Sequence, residues 1–149
     1  EAVEKIEQYM GTYPTVENFF ESSIAEAHAT GYSYTLLGRR RYLPDLYSNT
    51  DSYRHRAERQ ASNMPIQGTA ADVCKMAMIN IYEDSYLRDR LEYQMCLQIH
   101  DEIVGECPKG AVPEVMEIIR DWMEHPFPTE MAVPMEAEPA SGPSWGSAK

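Results

Sequence analysis

The sequence has no long apolar stretch and no net positive charge. Its 149 residues contain no uninterrupted run near the roughly 18 to 20 apolar residues that a membrane span requires, and no cationic, apolar leader opens it. We therefore expect no membrane association, no secretion and a cytoplasmic location. The apolar content of 43% is nevertheless enough to bury a core, which argues against a purely disordered tail.

Cysteine is also scarce. Cys74, Cys96 and Cys107 are odd in number, and no two of them form a C-x-x-C pair. This argues against a disulfide framework or a zinc knuckle and favours a reducing compartment. We expect the three side chains to be small buried apolar groups.

Negative charge dominates the chain. The 13 Lys and Arg residues against 24 Asp and Glu residues give a formal charge of −11, which normally argues against a nucleic-acid partner. The charge is unevenly spread, however, because residues 39–59 hold six arginines and three acids, whereas residues 1–38 hold one base and six acids. The middle segment is therefore a local cationic patch in an acidic protein.

The spacing of apolar residues predicts an α+β protein that opens with two helices within residues 1–30. Gly31 supplies a left-handed stop for the second helix. Residues 32–44 then predict an arginine-bearing β-hairpin, which turns at Leu37 and Gly38 and ends at Pro44.

Residues 54–87 carry a long helical pattern, which Pro65 would kink or begin. Its predicted apolar face consists of Ile66, Ala70, Val73, Cys74, Ala77 and Ile81. Residues 91–107 alternate between polar and apolar side chains and predict a second hairpin. Its predicted buried face consists of Tyr93, Met95, Leu97 and Ile99. Over residues 111–149 we expect an amphipathic helix followed by an edge strand at residues 131–138.

The tip of the second hairpin has the chemistry of a metal site. His100, Asp101 and Glu102 fall at a tight turn, which exposes successive side chains. Two adjacent carboxylates there form a hard oxygen site suited to Mg²⁺ or Mn²⁺. The alternative is an ordinary solvated turn, because polar residues are common at hairpin tips.

A second group of side chains suits nucleic acid. Arg59, Asn63 and Gln67 recur at four-residue spacing, so on a continuous helix they project from nearly one face and offer donors to a nucleic-acid groove. The alternative is a solvated helix face. Further arginines suit phosphate, unless they pair with neighbouring acids. They are Arg39, Arg40, Arg41, Arg54 and Arg56.

Three ordered motifs resemble the C-terminal palm of family A DNA polymerases, the DNA polymerase I family. They are residues 35–45 (TLLGRRRYLPD), 58–72 (ERQASNMPIQGTAAD) and 98–104 (QIHDEIV). Trp145 occupies the family's usual position near the end, whereas Ser144, Pro139 and Pro143 depart from its common pattern. The resemblance covers essentially the whole chain and implies part of a palm, with the motif-bearing hairpin packed against long helices and incomplete without the rest of the polymerase.

The resemblance implies a role for each residue at the hairpin tip. Asp101 corresponds to the motif C aspartate that holds the catalytic Mg²⁺ ions. Glu102 corresponds to the neighbouring carboxylate, counted here with Asp101 as a metal ligand. His100 corresponds to a residue beside the primer terminus. All three are therefore expected in the catalytic site.

The resemblance also implies a DNA-binding surface. It places Arg59, Asn63 and Gln67 along the minor groove of the primer-template duplex. Because minor-groove acceptors occur on every base pair, donors there sense pairing geometry without reading sequence. Contacts to the DNA backbone are implied for Arg39, Arg40 and Arg41. Arg54 is expected to bind DNA as well, as part of the cationic surface.

Two parts that family A catalysis needs do not occur in this sequence. They are a motif A pattern such as DYSQIE and a nucleotide-binding fingers helix of the type RxxxKxxxFxxxYG. We therefore predict the C-terminal subunit or fragment of a split DNA-directed DNA polymerase, with a second chain that supplies thumb, fingers and motif A. That chain would bind most of the deoxynucleoside triphosphate and complete the two-metal Mg²⁺ site.

Two other interpretations stay open. One is a non-catalytic module of the same family that only binds duplex DNA. The other is a fragment of a family A RNA polymerase, although Glu102 after His100 and Asp101 resembles the DNA enzymes. In each case we expect the protein to act where DNA is replicated, in a bacterial or phage setting.

Overall fold

The structure is a computed structural model that describes residues 2–148. Helices and two small antiparallel sheets make the chain α+β, as the sequence predicts. The chain divides into two compact units, Glu1–Thr69 and Ala70–Lys149, which are described separately. Across the described residues, no helix is both long enough and apolar enough to cross a membrane.

The first unit opens with the two predicted helices, α1 (Ala2–Thr12) and α2 (Pro14–Thr30). Gly31 ends α2 in the left-handed conformation, with a φ of 78° that glycine adopts without steric cost. The predicted arginine-bearing hairpin follows as β1 (Tyr32–Tyr34) and β2 (Arg40–Tyr42).

A 3-10 turn (Pro44–Tyr47) leads from the hairpin into α3 (Asp51–Asn63). The core of the first unit joins one face of α2 to this turn and to one face of α3. It consists of Ala27, Leu43, Leu46, Ala57 and Ala61. Because this core covers only one side of α3, the other side is exposed.

The predicted helical stretch over residues 54–87 is observed as segments, and its first irregularity falls at Pro65, where the sequence predicted a kink or a start. α3 is followed by a π-helical turn (Met64–Gly68) and then by α4 (Thr69–Glu83). Pro65 lies in this turn and has no N–H to donate to the regular ladder. The turn changes the phase of the apolar pattern. The expectation that Ile66 and Ala70 are buried was therefore wrong, because both are exposed.

The rest of the predicted apolar face of α4 is confirmed, since Val73, Ala77 and Ile81 are buried. Asp84 ends the helical stretch. Its Oδ1 accepts hydrogen bonds from the backbone N–H groups of Tyr86 and Leu87, which begins the short helix α5 (Ser85–Asp89).

The second hairpin consists of β3 (Gln94–Ile99) and β4 (Glu102–Glu106), within the predicted 91–107 range. A β-bulge at Cys96 shifts the register between Met95 and Leu97. Because an extra residue reverses the alternation of faces, the prediction that Leu97 shares a buried face with Tyr93 was wrong. Leu97 is 50% exposed. Cys96 is exposed as well, contrary to expectation, while Cys74 and Cys107 are partly buried.

The predicted amphipathic helix is observed as α6 (Val112–Glu124). It packs on a core formed by Ile81, Leu87, Leu91, Tyr93 and Val115. The predicted edge strand is wrong: residues 131–138 are irregular, and each sheet in the described chain has two strands. Pro134 lies within this range and removes a backbone donor that a ladder would need. A 3-10 turn (Trp145–Ser147) follows.

Candidate nucleic-acid interface and metal site

The predicted groove-facing side chains lie on the exposed side of the first unit. Arg59 and Asn63 lie on α3, and Gln67 lies in the π-helical turn; all three are exposed. The buried row on the opposite side consists of Ala57, Ala61, Met64 and Gly68. Three hydrogen-bonding side chains are thus accessible in this unit, and we call them the donor row (Arg59, Asn63 and Gln67).

The arginine-bearing hairpin braces the π-helical turn. The Arg39 guanidinium donates through Nη2 to the carbonyl oxygen of Gly68 at 2.9 Å, and the Leu36 backbone N–H donates to Thr69 Oγ1, also at 2.9 Å. Thr69 Oγ1 in turn donates to the Pro65 carbonyl oxygen. These bonds satisfy backbone groups that a regular helix would pair internally, so they hold the segment that carries Gln67.

Gly68 is required for this bracing. A Cβ atom at this position would lie 2.6 Å from Thr35 Cγ2 and 2.9 Å from Met64 Sδ. Thr35 is itself buried, and its Oγ1 accepts a hydrogen bond from the Arg39 backbone N–H at 3.1 Å. The hairpin therefore approaches the π-helical turn as closely as a glycine allows.

The predicted phosphate-binding arginines differ in their surroundings. Arg39 supports the π-helical turn, and the Arg40 guanidinium lies 5.1 Å from the centre of the Tyr32 ring. Arg54 pairs with Asp51 at 2.6 Å, at the start of α3. Arg41 is exposed on β2. These contacts give Arg39, Arg40 and Arg54 intramolecular roles beside any contact with DNA.

The tip of the second hairpin is a two-residue turn, with Ile99 and Glu102 paired on either side of His100 and Asp101. His100 has a positive φ of 56°, a conformation that is uncommon for residues other than glycine and that histidine adopts more readily than most. Its carbonyl oxygen accepts a hydrogen bond from the Gln98 amide Nε2. Strained backbone of this kind concentrates at functional sites, which supports a role for the tip.

The two adjacent carboxylates at the tip are exposed but have different partners. Glu102 Oε1 accepts a hydrogen bond from the indole N–H of Trp145 at 2.7 Å. Within residues 2–148, the Asp101 side chain forms no hydrogen bond or ion pair, although its charge contributes to raising the pKa of Cys74. Burial is the larger cause of that rise, and a hydrogen bond with the Gln98 side chain opposes it.

The hairpin rests on the aromatic ring of Tyr93. A Cβ atom on Gly105 would lie 2.2 Å from the Tyr93 hydroxyl, so only glycine permits this approach. The hydroxyl is buried and has no hydrogen-bond partner within the described residues. Burial raises the pKa of Tyr93 to about 12.

The tip fits a hard divalent cation in the chemistry of its donors, because both carboxylates are oxygen ligands of the kind that Mg²⁺ prefers. No cluster of three or more His, Cys, Asp or Glu side chains suited to a metal occurs in the described part of the chain. Asp101 and Glu102 can therefore supply part of a coordination shell, and other ligands have to complete it.

Two contacts at the tip were missed by the sequence analysis. Trp145 was noted for its position, but its hydrogen bond to Glu102 spans 43 residues and has no periodic signal. The contact between Tyr93 and Gly105 joins diagonal neighbours, since Tyr93 lies two residues before Met95, which pairs with Gly105, and it depends on the register of the hairpin. A glycine inside a strand pattern was the one available signal, since it often marks a close approach.

Comparisons with known proteins agree over the whole chain. The sequence model of DNA polymerase family A matches residues 1–147. The chain is 44% identical over all 149 residues to the thermostable DNA polymerase I of Thermus caldophilus, and 40% identical over the same length to the DNA polymerase I of Geobacillus stearothermophilus. It spans 17% of the length of each of these curated relatives.

A solved structure gives the same result. The chain is similar to the POL domain of Pol1 from M. smegmatis, in complex with DNA primer-template and dNTP, with a TM-score of 0.89 and 40% identity. The similarity covers 99% of this chain and 26% of that one. Sequence and fold thus agree along nearly the full length, and the chain belongs to DNA polymerase family A.

Proposed function

We propose that this chain is the C-terminal subunit or fragment of a split DNA-directed DNA polymerase, active together with a second chain that supplies thumb, fingers and motif A. The observation that carries the proposal is the exposed Asp101 at a strained two-residue tip, in a chain that matches the family from residue 1 to residue 147. The donor row on the first unit supports the DNA-binding part of the proposal.

The proposed reaction is attack of a primer 3′-hydroxyl on the α-phosphate of a deoxynucleoside triphosphate, with release of pyrophosphate. The chemistry that Mg²⁺ supplies when bound is activation of the hydroxyl and stabilisation of the leaving oxygens. Asp101 would hold the ion, with Glu102 beside it, and carboxylates from the second chain would complete the shell. His100 would lie beside the primer terminus.

The first unit would hold the primer-template duplex. Arg59, Asn63 and Gln67 would donate to minor-groove acceptors, which are present at every base pair. Their exposure suits this role, and so does the bracing of the backbone next to Gln67, because a backbone that is already fixed loses less entropy on binding. Arg41 and the other arginines of the patch would contact phosphates and make binding salt-dependent.

Primer extension tests the proposal. The purified chain should not extend a primer alone, and it should do so when combined with the second chain, a combination that we call the assembled polymerase. Native mass spectrometry of the purified complex identifies that second chain. Robust templated synthesis by this chain alone would show that the split-enzyme proposal is wrong.

A chimera provides an independent arm of the test. This chain would replace the matching segment of the thermostable DNA polymerase I of Thermus aquaticus, to which it is 42% identical over 149 residues. Activity of the chimera, and its loss in the Asp101→Asn version, would support the catalytic assignment. A chimera that binds primer-template normally but never extends it would favour the non-catalytic duplex-binding module. Incorporation of ribonucleotides in preference to deoxynucleotides would favour the RNA polymerase interpretation.

A further inference from the structure

The hydrogen bond between Trp145 and Glu102 fixes one carboxylate of the tip. The indole Nε1–H is a donor only, so this bond forms with an acceptor oxygen. Its length of 2.7 Å is typical of a charge-assisted bond to an ionised carboxylate. Glutamate has a long side chain that would otherwise sample several rotamers, and the bond selects one of them.

The position of the indole is itself built by local structure. Trp145 begins a 3-10 turn whose flanking serines, Ser144 and Ser147, form a capping box. Gly142 packs directly on this turn, because a Cβ atom there would lie 2.6 Å from Ser147 Oγ and 2.8 Å from the Ser147 backbone. The turn thus presents Trp145 to the hairpin in a defined way.

The neighbouring carboxylate has no such partner. Within the described chain the Asp101 side chain makes no hydrogen bond or ion pair, whereas Glu102 is held by Trp145. Two adjacent carboxylates of one hairpin tip are therefore distinguished by one contact from a segment 43 residues further along the chain.

We propose that Trp145 is a positioning residue, which holds the Glu102 carboxylate in one orientation and leaves Asp101 open for the cation. The inference rests on the proposed polymerase function of this tip. It assigns to the C-terminal 3-10 turn a part in organising the catalytic hairpin, and it makes Glu102 dependent on Trp145.

The hydrogen bond can be tested without activity. The chain contains two tryptophans. With ¹⁵N-tryptophan in this chain alone, the assembled polymerase should therefore give two labelled indole signals, assigned with the Trp145→Phe and Trp122→Phe variants. Glu102→Ala should shift the Trp145 signal and leave the Trp122 signal in place. Asp84→Asn is the control, because Trp122 donates to Asp84 Oδ2 at 2.9 Å, and it should shift only the Trp122 signal. Asparagine keeps an oxygen to accept from the N–H groups at the start of α5.

The positioning role is tested by single-turnover incorporation. Trp145→Phe keeps an aromatic ring but removes the N–H, and we expect the incorporation rate to fall roughly three- to tenfold, with unchanged affinity for primer-template. Trp122→Phe is the control, because it removes an equivalent indole bond to a carboxylate elsewhere in this unit. Its incorporation rate should stay within about twofold of the wild-type rate. Trp145→Phe should cause no further loss in a Glu102→Ala background, where the indole has no acceptor left at this position, since the two groups act together.

The outcomes separate this inference from the proposed function. If Trp145→Phe leaves the incorporation rate of the assembled polymerase unchanged, the Trp145 inference alone is overturned. The same holds if Glu102→Ala does not shift the Trp145 signal. Additive losses in the double variant would also overturn it. Absence of templated incorporation by the wild-type assembled polymerase would overturn the proposed function, and the catalytic role of Trp145 with it.

Discussion

The donor row and the hairpin tip are held in different ways. The segment carrying Gln67 is fixed by hydrogen bonds from the arginine-bearing hairpin, from Arg39 to Gly68 and from Leu36 to Thr69. The tip at Asp101 projects from a two-stranded sheet and is held by one side-chain bond on Glu102 and one on His100. In the proposed function, duplex contact needs donors at fixed spacing, whereas cation binding needs access, so each set of contacts suits the role that we propose for it.

The largest expected effect is at the tip. Asp101→Asn keeps the size of the side chain and removes its charge, so incorporation by the assembled polymerase should fall roughly a thousandfold or more. Glu102→Gln should be milder, because Trp145 already engages that carboxylate. Single-turnover incorporation measures both.

Binding serves as the control for both tip variants. Primer-template affinity at fixed salt should survive, or tighten slightly, because these substitutions remove negative charge near a polyanion. Near-normal incorporation by the Asp101→Asn enzyme would contradict the catalytic assignment and leave the duplex-binding module as the better interpretation.

A smaller effect is expected in the donor row. Gln67→Ala should cost about 1 to 3 kcal/mol at the step that needs the minor-groove contact, whatever the base pair. Gln60→Ala removes the same amide from α3 outside the donor row and should have little effect. Extension rates on primers with each terminal base pair provide the measurement. A loss of extension rate confined to some base pairs would indicate major-groove contact. An unchanged rate would mean that Gln67 is an ordinary solvated side chain.

The bracing of the π-helical turn is tested at Gly68. Gly68→Ala should lower the free energy of unfolding by about 2 kcal/mol, because the new Cβ would collide with Thr35 Cγ2. Adding Thr35→Ser removes that methyl group, keeps the hydroxyl and should restore part of the loss. Gly11→Ala is the control, since a Cβ there meets nothing within 4 Å. Urea titrations of the four proteins give the answer, and a Gly68→Ala enzyme as stable as wild type would refute the bracing.

The smallest effect concerns Tyr93 beneath the tip. Tyr93→Phe should raise stability by up to about 1 kcal/mol at neutral pH, because it removes a buried hydroxyl without a partner in the described chain. Burial raises the pKa of Tyr93 from 10.0 to about 12 in the folded protein. The neutral side chain is therefore favoured by folding, and wild-type stability should decline as the pH rises from 10 to 12.

The control for this pH dependence is Tyr82→Phe, at a side chain that is 71% exposed. Urea midpoints measured between pH 7 and pH 12 should show a growing advantage for Tyr93→Phe and none for Tyr82→Phe. Parallel pH profiles for wild type and Tyr93→Phe would contradict the burial of this hydroxyl.

The sequence predicted the helices and strands that follow a regular local pattern. It did not predict the places where one inserted residue interrupts such a pattern. Gly31, the apolar spacing of α6 and the alternation in β3 and β4 located the helices and hairpins correctly. The π-helical turn at Pro65 and the bulge at Cys96 each shifted a period midway. Three residues that were assigned to buried faces are therefore exposed: Ile66, Ala70 and Leu97. Periodicity carries no warning of such a shift.

The candidate site shows the same division. The residue types at the tip and in the donor row were visible in the sequence, because their chemistry is local. The contacts that hold them, such as Trp145 with Glu102 and Arg39 with Gly68, join distant segments and depend on the fold. Their partners could not be read from spacing.

The bulge at Cys96 gives the hairpin two apolar sides. Residues paired across strands share a face, so Ile103 points toward the Tyr93 core while Leu97 and Val104 point the opposite way. Apolar side chains on both faces are typical of strands that are buried on both sides, and not of strands with one face in solvent. One extra residue thus places Leu97 beside Val104, as an apolar surface on the side of the hairpin away from the Tyr93 core.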